Sequence, residues 1–107
     1  MALSIKYQAS SISDWAMTSL QVFYEGNVQG VGFRWSVRHA ATGFDVTGWV
    51  RNLPDGRVEL QVTGEEDEVR GFLDRIAQGE LHALIHKQIE NKLEKQVTAR
   101  GFEIRYD

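Results

Sequence analysis

Two stretches of this chain carry apolar residues at helical spacing, and each follows a stretch whose apolar residues alternate. LQVFYEG (20–26) alternates and is rich in strand-forming side chains. FRWSVRHAATGF then sets Phe33, Val37, Ala40, Ala41 and Phe44 along one side of a helix. VTGWVRN (46–52) reads as a strand, and RVELQVT (57–63) reads as another with Val58, Leu60 and Val62 on one side. LPDG (53–56) lies between them and contains the only proline, beside Asp-Gly, so these strands form a hairpin. Past Gly64, the residues Val69, Phe72, Leu73, Ile76 and Ala77 mark a second helix. Glu65, Glu66, Asp67 and Glu68 gather at its start, where the helix dipole favours negative charge, and Gly79 ends it. The closing GFEIRYD alternates Phe102, Ile104 and Tyr106 with Glu103 and Arg105, as a strand does.

One segment fits two descriptions. In LHALIHKQIENKLEKQV (81–97), Leu81, Ile85, Ile89, Leu93 and Val97 recur at helical spacing. Ala83, Ile85, Ile89, Asn91 and Leu93 also fit one face of a strand, and the pattern by itself slightly favours the helix. The order is therefore strand, helix, strand, strand, helix, an undecided segment and a strand, with no internal repeat. An α+β order of this split βαβ kind packs two helices on one face of an antiparallel sheet.

Length and charge narrow the functions. At 107 residues and 42% hydrophobic, the chain suits a single compact domain. It has no cysteine, which excludes disulfides and thiolate metal sites and fits a reducing compartment. Its net charge of −3 argues against sequence-independent nucleic-acid binding. No apolar run reaches the length of a membrane span, and the first residues lack the pattern of a secretory signal. The expectation is a cytoplasmic monomer with no membrane or nucleic-acid partner. Residues 1–18 are serine-rich and aperiodic; they read as an N-terminal extension, disordered or not, ahead of a domain at 19–107. Met17 is an alternative start, because MTSLQVFYEG would begin at the first strand.

The link between the first strand and the first helix, GNVQGVGFR (26–34), holds Gly26, Gly30 and Gly32 and ends in Arg34. Glycines let successive backbone N–H groups converge, and the first amides of a helix lack internal partners. With the helix dipole and a guanidinium in the first turn, such a loop can cradle a phosphate or another oxyanion. The bland alternative is a tight turn with a surface arginine. Neither G-x-x-x-x-G-K-[ST] nor G-x-G-x-x-G is present, so the usual nucleotide loops do not apply.

GNVQGVGFR (26–34), GWVRN (48–52) and DGRVEL (55–60) together resemble the acylphosphatase family, whose signature runs G-x-V-Q-G-V-x-F-R, then G-W-V-x-N, then D-G-x-V-E. The similarity extends over residues 20 to 106. It implies a ferredoxin-like α/β sandwich, βαββαβ plus a C-terminal strand, and makes 83–92 the fourth strand. It implies hydrolysis of acyl phosphates to carboxylate and inorganic phosphate by direct attack of water, without metal or cofactor. Position by position, Arg34 resembles the phosphate-binding arginine and Asn52 the asparagine that orients water. The backbone of Val28, Gln29, Gly30, Val31, Gly32 and Phe33 resembles the phosphate-binding loop. The chain departs from the family at Leu53, where threonine is common, so that hydroxyl is missing here.

Other constellations carry less. His82, His86 and Glu90 would share a face only on a helix, and as a polar stripe they need no metal. His39 reads as a solvent-facing or locally packed helix residue, and Trp35 and Trp49 as packing residues. Two other classes fit the element order: an RNA-binding module, which should show exposed aromatics on its central strands, and a non-catalytic module that binds acyl or carbamoyl phosphate or serves in contacts. RVELQVT has no aromatic residue, which weighs against the first.

Overall fold

A computed structural model of the chain describes residues 17–30 and 32–106. Residues 1–16 of the extension expected at 1–18, and Val31 of the expected phosphate loop, lie outside the described residues. The elements are β1 (Met17–Gly26), α1 (Phe33–Ala41), β2 (Val46–Asn52), β3 (Val58–Glu65), α2 (Glu66–Gln78), a short 3-10 turn (His82–Leu84), β4 (Ile85–Lys92) and β5 (Phe102–Arg105). β1 takes in Met17 and Thr18, which pair with Glu65 and Gly64, so the sheet begins two residues ahead of the expected boundary.

The sheet order is β4-β1-β3-β2-β5. Four strands pair antiparallel, as the element order implied, and β5 joins the edge parallel to β2, with Val50 opposite Ile104. Because β3 runs against both β1 and β2, the strands β1, β2 and β5 point the same way. Their C-terminal ends therefore reach one edge of the molecule, and α1 starts there.

Both helices lie on one face. Phe33, Val37 and Ala41 of α1 and Val69, Phe72, Leu73 and Ile76 of α2 are buried against Leu20, Val22, Tyr24, Val50, Val58, Leu60 and Val62 of the sheet. These are the residues that the periodicities select, and each such buried side chain contributes about 1.5–3 kcal/mol. Phe44, just past α1, packs on Phe72, which in turn meets Phe102 edge-on.

The undecided segment is a strand from Ile85, two residues later than the expected 83. Its sequence hides this because the β1–β4 register shifts at Glu25/Gly26. Ile85 sits opposite Gly26, but Lys87 already faces Glu25, so His86 is an extra residue. Such a bulge inverts the alternation. Ile85 packs on the core, whereas Ile89 pairs with Phe23, whose neighbours Val22 and Tyr24 are the core-facing residues of β1. Four-residue spacing thus mimics a helix in a strand whose two isoleucines occupy opposite faces. Gly26 is required at the bulge: its φ is +136°, and a Cβ there would overlap the Leu84 carbonyl oxygen.

Candidate active site

The edge where β1, β2 and β5 end holds a hollow of about 170 Å³. It is lined by Val28, Gly30, Gly32 and Phe33 of the glycine loop and by Arg34, Trp35, Asn52, Ile104 and Tyr106. The strand directions account for this gathering. Asn52 is the last residue of β2, and Ile104 and Tyr106 belong to the end of the parallel neighbour β5, so residues 34, 52 and 106 meet across long separations in sequence.

Gly30 and Gly32 have φ of +76° and +75°, left-handed conformations that cost other residues energy. Nothing crowds either Cα, so backbone conformation rather than space selects glycine here. Gly32 is also the N-cap of α1, and the first helical bond is donated by Ser36 N–H to its carbonyl, at 3.0 Å. A glycine cap offers no side-chain oxygen to the amides of Phe33, Arg34 and Trp35. The dipole of α1 adds partial positive charge at the same point.

Arg34 is half-buried in the first turn. Its Nη1 donates to the Arg105 carbonyl oxygen at 3.4 Å, and its guanidinium carbon stands 4.8 Å from the centre of the Tyr106 ring. No salt bridge to Arg34 occurs among the described residues. The end of β5 thus holds the guanidinium through one carbonyl and one aromatic face, and leaves its charge uncancelled.

Asn52 shares its side of β2 with the buried Val46 and Val50, so it faces the helical layer. Its Oδ1 is buried and accepts no hydrogen bond among the described residues. An orphaned buried acceptor costs about 1–3 kcal/mol, and native proteins rarely carry one without a use.

Gln29, whose backbone is expected in the phosphate loop, has a separate part for its side chain. Its side-chain Nε2 donates to the carbonyl oxygens of Leu53 and Arg57, each at 2.8 Å. Leu53 N–H donates to the Arg57 carbonyl and Gly56 N–H to the Leu53 carbonyl, which closes the β2–β3 turn on itself. One amide therefore pins the glycine loop to the hairpin that presents Asn52. The Leu53 position contributes through its backbone, which any residue supplies. Replacing Gln29 by alanine should free the loop from the hairpin. We expect kcat/KM to fall about tenfold, inhibition by inorganic phosphate to weaken, and melting to drop by several degrees. Steady-state kinetics and a thermal scan check this.

The remaining sequence candidates fall elsewhere. His82 Nδ1 lies 2.8 Å from the Ala77 carbonyl oxygen, and Glu90 is paired with Arg70 at 2.8 Å. That guanidinium also holds the Glu90 carboxyl below its ordinary pKa. No cluster suited to a metal ion occurs among the described residues. Trp49 is buried, as a packing residue should be, but Trp35 is 57% exposed and stacked flat on His39. The parts played by the side chains of Gln29, Tyr106 and Trp35 are not written in the local sequence. Only the position of Gln29 inside the glycine motif could have pointed to one of them.

Comparison with known proteins agrees with this geometry. The family model for acylphosphatase matches residues 20–104. The chain is 39% identical to the acylphosphatase of Geobacillus thermodenitrificans strain NG80-2 over 90 residues, 84% of this chain and 96% of that protein. It resembles the solved structure of an acylphosphatase from Coxiella burnetii with a TM-score of 0.75 and 32% identity, over 87% of this chain and 97% of that one. The acylphosphatase structure from Bacillus subtilis gives the same TM-score at 29% identity, over 83% and 99% of the two chains. With the glycine loop, Arg34 and Asn52 meeting at one edge of a ferredoxin-like sandwich, and with relatives matched over nearly their whole length, the chain belongs to the acylphosphatase family.

Proposed function

We propose that this protein hydrolyses the carboxyl–phosphate bond of acyl phosphates, releasing a carboxylate and inorganic phosphate by direct in-line attack of water. The observation that carries the reading is that one hollow holds a guanidinium without a salt bridge and an amide oxygen without a hydrogen bond among the described residues.

An acyl phosphate is a mixed anhydride whose leaving group is a carboxylate, with a conjugate acid of pKa about 4. Such a group departs without a proton, so the site needs no general acid. Phosphoryl transfer then depends on positioning and on neutralising the charge spread over the equatorial oxygens. The guanidinium of Arg34 and the α1 amides supply that neutralisation. Asn52 Oδ1 accepts a hydrogen bond from water and holds it in line with the phosphorus. As the P–O bond to water forms, the bond to the carboxylate breaks, the bonding pair leaves with the carboxylate, and a phosphate oxygen takes the water proton. The scheme uses no metal, cofactor or covalent intermediate. No nucleophile–base pair is invoked.

Both functional side chains face one hollow, which favours a hydrolase over a module that only binds. The substrate is a small molecule and the protein is expected to act as a monomer. Hydrolysis of benzoyl phosphate, followed by loss of ultraviolet absorbance, tests the reading. We expect steady turnover that a chelator leaves unchanged, and at least about 10³-fold slower turnover of p-nitrophenyl phosphate, a monoester with a poorer leaving group. Absence of benzoyl phosphate hydrolysis would refute it.

A further inference from the structure

The surface beside the phosphate hollow offers a place for the rest of a substrate. Among the described residues the exposed large hydrophobics are Trp35 and Tyr106, and both line this hollow. Tyr106 is engaged by the Arg34 guanidinium. Trp35 has no such partner, yet its ring is held in place by His39, with centroids 5.1 Å apart and planes inclined by 4°. Trp35 also lines a second groove of about 470 Å³ between α1 and the end of α2. The groove is floored by Ala40, Ile76 and Leu81 and walled by His39, with Arg75 and Glu80 at its polar side. In-line attack imposes a direction: with water held at Asn52, the leaving group must depart away from β2. Asn52 lines the hollow and not the groove, whereas Trp35 lines both.

We infer that Trp35 is a specificity-determining residue and that the groove it opens onto receives the acyl part of the substrate, favouring bulky, planar or apolar acyl groups over acetyl. This rests on the acyl phosphatase reading of the adjacent hollow. Arg34 and the α1 amides bind the phosphoryl group common to all such substrates, and the indole face then discriminates among the acyl groups by stacking and by apolar burial. The stack on His39 fixes the indole before substrate arrives, so little side-chain entropy is lost on binding.

The test compares benzoyl with acetyl phosphate in turnover, and benzylphosphonate with methylphosphonate in binding. It uses the wild type and the variants Trp35→Ala, Trp35→Phe and His39→Ala. Trp35→Ala should lower the benzoyl-to-acetyl ratio of kcat/KM about tenfold and the corresponding ratio of phosphonate affinities by a similar factor. Trp35→Phe should restore most of both ratios, and His39→Ala should lower them about threefold by loosening the indole. A Trp35→Ala protein whose ratios match wild type, or equal losses on both members of each pair, would overturn the inference. The phosphonate pair separates this failure from that of the parent reading. An inactive wild type that still prefers benzylphosphonate through Trp35 supports the groove while removing the hydrolase, and a wild type indifferent between the phosphonates removes the groove.

Discussion

Arg34→Ala is expected to lose at least about 10³-fold in kcat/KM for benzoyl phosphate, and to bind inorganic phosphate too weakly for competitive inhibition at millimolar concentrations. The size follows from charge placement. The guanidinium carries a permanent positive charge that no carboxylate among the described residues cancels, and it lines the hollow together with the first amides of α1. Removing one preorganised donor from such a site typically costs about 10²–10³ in rate, and arginines that neutralise a transferring phosphoryl group are worth about 10³–10⁵. Because the proposed mechanism has the guanidinium serve the bound phosphate as well as the transition state, both kcat and KM should worsen. Arg34→Lys should recover little: an ammonium is a point charge and cannot keep both the carbonyl contact at Arg105 and a two-pronged grip on phosphate. Stability should change little, since Arg34 is only half-buried and its structural contacts are one long hydrogen bond and one aromatic face. Steady-state kinetics with phosphate as inhibitor, alongside a thermal scan, reads all of these.

Asn52→Ala should separate what Arg34→Ala combines. Loss of the amide oxygen removes the group proposed to aim water, so kcat should fall about 10²-fold, the scale of a misplaced reactant. In the proposed mechanism the loop and Arg34 hold the phosphate itself, so the inhibition constant for inorganic phosphate should stay within about twofold of wild type. The melting temperature should not fall appreciably, because Oδ1 makes no protein hydrogen bond among the described residues and its burial is itself a cost. A structural asparagine would behave in the opposite way, with lower stability and little specific effect on kcat.

Much of this was readable from the chain because local rules and the global fold agree. The apolar spacings of α1 and α2 select the residues that are buried, and Pro54-Asp55-Gly56 marks the hairpin. The glycine motif leads to Arg34, and Asn52 gains meaning only from the longer signature, since an asparagine before a turn is otherwise ordinary. β4 was obscured for a definite reason: the bulge at His86 breaks the alternation on which strand recognition depends. Tyr106 and Trp35 were unreadable as site residues because their positions depend on long-range topology. β5 must lie parallel to β2 before residue 106 can meet residue 34, and α1 must pack beside the end of α2 before Trp35 borders a groove. Gln29 lay within the motif, but its side-chain bonds to Leu53 and Arg57 require the hairpin to stand beside the loop.

In the proposed mechanism the site grips a phosphoryl group and directs water at its phosphorus. Hydrolysis of benzoyl phosphate in ¹⁸O-enriched water, with both products analysed by mass spectrometry, tests it most directly. The label should appear in inorganic phosphate, one solvent oxygen per turnover, with none in benzoate. Label in the benzoate carboxyl would mean that water attacks the carbonyl carbon, and would contradict the roles given to Arg34 and Asn52.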